Sequence, residues 1–240
     1  MKNLMIYMDP SKSWEVDKDR ILAEIQIENC HYFWKSKDII MITNFPYEYR
    51  GFKATVIEDT SWLPTEYVTI FNNVWRFFGF FLLPYLIKRG YLNDDLIYGH
   101  DLDAYQVHDL DLPPLDRDLG LVDYGFASKI NLGNVFFKPH KVLDIFRMIG
   151  EYMLKWKINE EEVLVKLQKD NVNNINSRFR KLNITYNIGS RHVPRNVNYA
   201  EKPIKVAHFQ AWYPEKMKEF KPYLPERLYK LLYEKFAHLY

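Results

Sequence analysis

Short apolar runs that stop abruptly at polar side chains constrain this chain more than any other feature of its sequence. Asn3–Met8 (NLMIYM) ends at Asp9-Pro10-Ser11, and Asp38–Thr43 (DIIMIT) ends at Asn44. Ala54–Ile57 (ATVI) ends at Glu58-Asp59, and Asp95–Gly99 (DLIYG) runs into His100-Asp101-Leu102-Asp103. Brief apolar runs bounded by turn residues read as buried strands. Trp14–Trp34 lies between the first two, with Ile21, Ile25 and Phe33 at helical spacing and Glu24 and Glu28 on another face. Tyr67–Lys88 reads as a long apolar helix, with a bend expected at Gly79 or Pro84. Strand, helix, strand, strand, helix, strand is the rhythm of an α/β domain, a Rossmann-like single domain whose mainly parallel central sheet is flanked by helices. Ligands collect at the carboxyl ends of such strands. Asp9, Asn44, Asp59 and Asp101 are therefore expected along one rim.

The second half is less regular. Val107–Gly120 carries Asp109, Asp111, Asp116 and Asp118 and reads as an acidic loop. Asn131–Phe137 (NLGNVFF) reads as a strand or bulge, Pro139–Trp156 as a helix, and Lys205–Phe209 (KVAHF) as a late strand. Asn159 followed by Glu residues suits a helix start, through capping and the helix dipole. Glu226–Tyr240 is amphipathic, so residues 1–215 are expected to form one domain and 216–240 a helical tail. That tail has three open uses: packing on the domain, dimerising, or making a peripheral membrane contact.

Composition removes several function classes. With 33 Lys+Arg against 31 Asp+Glu, net +2, neutralising a phosphate backbone is not its main work, and no nucleic-acid partner is expected. One thiol, Cys30, excludes an internal disulfide framework and a Cys-rich zinc site, and core packing accounts for it simply. Met1–Pro10 lacks the apolar core and cleavage site of a signal peptide. Phe77–Ile87 is well short of the ~20 residues that span a bilayer. A soluble, cytoplasmic protein is expected. No Gly-x-Ser-x-Gly, Gly-x-x-x-x-Gly-Lys or Gly-x-Gly-x-x-Gly pattern occurs, and the acidic loop lacks the Gly and Glu of an EF-hand. The 18 Tyr, 16 Phe and 6 Trp supply either stacking surfaces or a Tyr-rich core.

Asp101-Leu102-Asp103 is the triplet richest in chemistry. In an extended segment alternate residues point the same way, so both carboxylates would face one cation that keeps positions open for substrate phosphates. Taken alone, the triplet is also a common solvated turn. His208, in the apolar segment KVAHFQAW, is either a hydrogen-bonded core residue or a third ligand; an imidazole beside two carboxylates suits manganese better than magnesium.

These pieces, in this order, resemble a GT-A-fold glycosyltransferase, and most closely glycosyltransferase family 8, the retaining galactosyl- and glucosyltransferases that include glycogenin. Asp101-Leu102-Asp103 is similar to the family's Asp-x-Asp metal motif, and Asn131-Leu132-Gly133-Asn134-Val135 to the stretch that lines the donor sugar. Glu160-Glu161-Glu162-Val163-Leu164 looks like a variant of Asp-Gln-Asp-x-Leu, and Asn176-Ser177-Arg178-Phe179 with Tyr186-Asn187 resembles the segment that follows it. His208 falls where the family places the third protein ligand to the metal. The resemblance implies Mn2+ or Mg2+ held by Asp101, Asp103 and His208, a nucleotide-sugar donor, and a glycan, lipid-linked or protein acceptor. It puts base and ribose at Tyr7, Asp9 and Asn44, with Gly133 and Asn131 at the donor sugar. Asp101 has ribose or sugar as its other partner. Glu161 stands where the family has a Gln beside the anomeric carbon; a carboxylate there serves as a general base for inversion or as a nucleophile or ion-pair partner for retention. The family's Gly-x-x-Lys-Pro-Trp is missing after His208, which leaves Lys216 or Arg191 to meet the diphosphate. Trp62, Trp212 and Tyr213 are candidate faces for acceptor sugars.

Other readings remain. A sugar-phosphate nucleotidyltransferase shares a related sheet, but Tyr7–Lys12 (YMDPSK) lacks its Gly-rich basic loop. A two-metal nuclease would need further carboxylates, such as Asp109 and Asp111, beside the first pair. A catalytically silent carbohydrate-binding or assembly protein would use the Asp pair only as a turn.

Overall fold

The computed structural model describes residues 1–8, 17–61, 82–126, 128–189 and 193–239. Strand β1 (Lys2–Tyr7), helix α1 (Asp17–Phe33) and β2 (Ile39–Thr43) open the fold, followed by a small hairpin, β3 (Glu48–Tyr49) and β4 (Phe52–Lys53). Next come β5 (Thr55–Val56), β6 (Ile97–His100), β7 (Ala104–Gln106), β8 (Leu119–Phe126) and β9 (Ser128–Phe137). Helices α2 (Pro139–Trp156) and α3 (Glu160–Lys169) lead to β10 (Phe179–Leu182), β11 (Ile188–Gly189), α4 (Val193–Tyr199) and β12 (Val206–His208). Helices α5 (Pro214–Phe220) and α6 (Glu226–Phe236) close the chain. Of the expected helix over 67–88, the part at 82–88 is helical and carries Pro84, whereas Gly79 and the earlier residues lie outside the described ones.

The central sheet has seven strands in the order β10-β8-β9-β6-β1-β2-β5. Strand β1 runs parallel to β2 and β6, β2 to β5, and β10 to β8, while β9 is antiparallel to both β6 and β8. The parallel core is the expected one. The carboxyl ends of β1, β2, β5 and β6 accordingly share an edge, with Asn44 and Asp101 on it. Asp9 lies outside the described residues.

Burial on both faces explains why β1 is apolar at nearly every position. Alternate side chains enter two cores: Met5 and Tyr7 join one, and Leu4 and Met8 the other. Helix α2 starts with Pro139 in its first turn and buries Val142, Ile145, Phe146, Ile149 and Met153 as one stripe against the second core. The Asn159 side chain accepts from the Glu162 N–H at 2.8 Å, and Glu160, Glu161 and Glu162 fill the first turn of α3. Strand β8 pairs with β9 through two register shifts, as the expected bulge requires.

The tail belongs to the first core. Leu228, Leu232 and Phe236 are each 0% exposed, Lys235 pairs with Glu24 of α1 at 2.6 Å, and the expected 215/216 boundary falls inside α5. Of the three uses left open for the tail, packing on the domain is the one seen: its apolar face is occupied by the first core, and nothing supports a membrane contact. Among the described residues no helix is long and apolar enough to cross a membrane. The Leu232→Ala variant is expected to lose about 2–5 kcal/mol of stability in urea unfolding, whereas replacing the exposed Tyr233 by Ala should cost under ~0.5 kcal/mol.

Candidate functional site

Strand β6 delivers the chain to Asp101, where it does not continue extended. The Ala104 N–H donates to the Asp101 carbonyl at 3.1 Å, closing a turn at Leu102 and Asp103 that reverses the chain into β7. The two carboxylates converge through this turn, which corrects the expectation that strand alternation aligns them. Leu102, 0% exposed, anchors the turn in the interior. Strand β7 then pairs antiparallel with β12 so that Ala104 faces His208, and the Phe209 N–H donates to the Asp103 carbonyl at 3.0 Å. Two backbone pairings thus hold His208 beside Asp103.

His208 Nε2 lies 3.2 Å from Asp103 Oδ1 and 3.6 Å from Asp101 Oδ2. One ligand atom from each of the three residues lies within 4.8 Å of the other two, and this is the only such His/Cys/Asp/Glu group among the described residues. Asp109 and Asp111 do not join it, because Asp111 pairs with Lys205 at 2.9 Å. Two further acidic side chains of that loop are paired as well, Asp116 to Arg180 at 2.8 Å and Asp118 to Arg178 at 2.7 Å, while Asp109 is exposed. Among the described residues the paired-metal nuclease therefore lacks its further carboxylates.

Strand β9 forms the opposite wall. The Asp101 N–H donates to the Gly133 carbonyl at 2.9 Å. A Cβ on Gly133 would sit 2.3 Å from the His208 ring, 2.7 Å from Asp101 Oδ2 and 2.9 Å from Asn131 Oδ1. Only a residue without a side chain fits this close approach. Asn131 Oδ1 accepts from the Gly133 N–H at 2.9 Å, while Asn131 Nδ2 donates to Glu161 Oε1 at 2.9 Å. The Leu132 N–H also points at that oxygen, 3.4 Å away. Asn187, 0% exposed, bridges the two walls: its Nδ2 donates to Asn131 Oδ1 at 2.7 Å and its Oδ1 lies 3.1 Å from His208 Nδ1.

Asp101, Asp103, His208, Asn131, Gly133 and Glu161 therefore come together, and Asn187 joins them. The sequence places Asn187 in the family-like segment with Tyr186 but gives it no site role, and nothing in it identifies the partners. Tyr7 is only 5% exposed and packs edge-on to Phe45 and Tyr47, with centroids 5.1 and 5.7 Å away. Asn44 is buried at the end of β2. The Lys18 ammonium covers the Trp212 ring at 4.7 Å, while Tyr213 is exposed; Trp62 lies outside the described residues. Lys216 Nζ donates to Glu219 at 2.9 Å, and Arg191 lies outside the described residues. Cys30 is buried and burial raises its pKa, in keeping with a packing role.

His100, just before the pair, is stacked on Tyr98 at 4.7 Å, and its Nδ1 donates to the Asp101 carbonyl at 2.9 Å. Burial lowers its pKa from 6.5 to about 4, so the ring is neutral while it braces the backbone of Asp101.

The donor set is two carboxylate oxygens and one imidazole nitrogen with no thiolate, which suits a divalent ion of the Mn2+ or Mg2+ kind. Two carboxylates no more than 4.8 Å apart repel by on the order of 3 kcal/mol at an effective dielectric of about 20, and a cation between them would reverse that term. The residues present fit a metal.

No protein-family model matches the chain, and no curated protein matches it in sequence. Solved structures share its fold. The galactosyltransferase LgtC, in complex with donor and acceptor sugar analogs, superimposes with a TM-score of 0.60 at 14% identity, covering 98% of this chain and 96% of that one. The glycosyltransferase GlyE of Streptococcus pneumoniae TIGR4 gives 0.55 at 11% identity, covering 99% of this chain and 61% of that one. A glycosyltransferase involved in glycosylation of the major capsid of PBCV-1 gives 0.50 at 13% identity, covering 100% and 99%. The fold is the GT-A fold of glycosyltransferases, as the sequence resemblance implied, and the candidate Asp-x-Asp lies at the carboxyl edge of its sheet.

Two outcomes follow for this site. A Gly133→Ala variant should weaken Mn2+ binding by at least about tenfold in a calorimetric titration, since the added methyl must displace His208 or Asp101. As pH falls from 6.5 toward about 4, the unfolded chain takes up a proton that the folded His100 ring refuses, so stability declines by up to about 3 kcal/mol. A His100→Gln variant should lack that part of the decline, as urea unfolding at a series of pH values would show.

Proposed function

We propose that the protein is a metal-dependent glycosyltransferase that moves a sugar from a nucleotide-sugar donor, read here as a UDP-sugar, to a hydroxyl of a saccharide, lipid-linked or protein acceptor. One observation carries this reading: Asp101, Asp103 and His208 converge at the carboxyl edge of a GT-A sheet, with Glu161 and Asn131 joined to them by hydrogen bonds. The LgtC structure, which holds donor and acceptor sugar analogs, supports the choice of ligand class.

Asp101, Asp103 and the Nε2 of His208 would hold Mn2+ or Mg2+. Such an ion supplies positive charge where negative charge builds on the departing phosphates. Gly133 keeps β9 close enough to form the opposite wall, and Asn131 holds Glu161 Oε1 through its amide. Glu161 then acts at the anomeric carbon, as general base in an inverting transfer or as nucleophile or ion-pair partner in a retaining one. Asn44 at the end of β2 and Tyr7 at the end of β1 would bound the nucleotide end, with Asp9, two residues further along the sequence, proposed to join them. Tyr213, exposed next to Trp212, is the more accessible of those two aromatic faces for an acceptor sugar.

Calorimetry with UDP, GDP and their sugars, with and without Mn2+, tests the proposal. UDP or a UDP-sugar should bind when Mn2+ is present and should lose that binding on chelation. Asp103→Ala should remove the metal-dependent binding and lower transfer by roughly 100-fold or more. If no nucleotide binds in a metal-dependent manner, the proposal fails.

A further inference from the structure

The hydrogen bonds between Glu161 and His208 have a forced direction. Backbone N–H groups can only donate, so the Asn131 atom facing the Gly133 N–H at 2.9 Å must be its oxygen. Its amide nitrogen then points at Glu161 Oε1, which is fixed as an acceptor because the Leu132 N–H points at the same atom. With Asn131 Oδ1 an acceptor, the Asn187 atom 2.7 Å away must be the nitrogen. The Asn187 oxygen therefore faces His208 Nδ1 at 3.1 Å, and that ring nitrogen must carry the proton. The other nitrogen, Nε2, is left to face Asp103 and Asp101.

We propose that Asn187 is a positioning residue that sets the proton on His208 Nδ1 and so presents Nε2 to the two carboxylates as a metal ligand. The inference rests on the metal-site reading above and adds a residue to it. Asn187 is 0% exposed and acts through His208; it conveys the polarity fixed by the β9 backbone to the ring on β12. Outer partners of this kind typically change metal affinity by about 10–100-fold when removed. The rival arrangement is a proton on Nε2, shared with Asp103 Oδ1 at 3.2 Å, with Nδ1 bare.

Long-range 1H–15N spectra of metal-free, 15N-His-labelled protein decide between the two. The measurement is made at about pH 9, where imidazole is ordinarily neutral. The chain has seven histidines, and His208 is assigned by the signal missing in His208→Gln. The wild-type protein should carry a proton on His208 Nδ1. In Asn187→Leu the ring should revert to a bare Nδ1 with the proton on Nε2, and Mn2+ affinity should fall about tenfold or more. Asn187→Asp, which keeps an acceptor toward the ring, should retain the Nδ1 proton. The wild-type spectrum is readable even if the Leu variant does not fold. A bare Nδ1 in the wild type, or a protonated Nδ1 that persists in Asn187→Leu, would overturn the proposal. The spectrum needs no turnover: metal-dependent transfer with a bare Nδ1 would sink only this inference, and a protonated Nδ1 without nucleotide binding would sink only the proposed function.

Discussion

The pairing of Ala104–Gln106 with Val206–His208 is the interaction on which the site depends. It joins a turn at the end of the main sheet to a strand about a hundred residues later, and it carries His208 to within 3.2 Å of Asp103. Neither carboxylate nor imidazole would be a candidate ligand without it. A fold in which the chain simply ran on from β6 would leave Asp101 and Asp103 as an ordinary solvated pair. Backbone hydrogen bonds, rather than side-chain attraction, therefore bring together three groups that would not gather on their own.

What surrounds this pairing is organised to tolerate it. Two carboxylates close together oppose folding unless a cation offsets them. The second wall, β9, comes close through Gly133, and the polar atoms there are satisfied in one direction from the backbone to Asn131, Asn187 and the ring. Beneath lies an aromatic stack in which Tyr98 packs on Phe136 at 4.9 Å and on His100 at 4.7 Å. Much of the aromatic excess is thus core: it makes a buried, stacked bed under a polar site. Support of this kind is what a site that works by preorganised charge requires.

Much of the fold is legible in the sequence because its strands are buried on both faces. The runs at Asn3–Met8, Asp38–Thr43 and Asp95–Gly99 stand out for that reason, and Pro139 and Asn159 mark helix starts through local chemistry alone. Strand β8 was hidden behind the acidic loop, whose Asp111, Asp116 and Asp118 pair with Lys205, Arg180 and Arg178 far along the chain. The hairpin at Glu48–Lys53 is too short to show a period. In the site, Asp101, Asp103, Gly133 and His208 were legible as motifs, but the turn that aligns the carboxylates was not, because its cause is pairing with a distant strand. Asn187 was legible as part of the family-like segment with Tyr186, but its role was not: its partners Asn131 and His208 are distant in sequence, and no local pattern encodes such a contact.

The central claim is that three residues from two sheets form one metal centre that serves a nucleotide-sugar. Anomalous diffraction at the manganese edge, from crystals grown with Mn2+ and UDP, tests it most directly. The account predicts a single strong peak bounded by Asp101, Asp103 and His208, with the UDP phosphates completing its coordination. Bound UDP with no manganese between these three side chains, or a manganese peak elsewhere on the molecule, would contradict it.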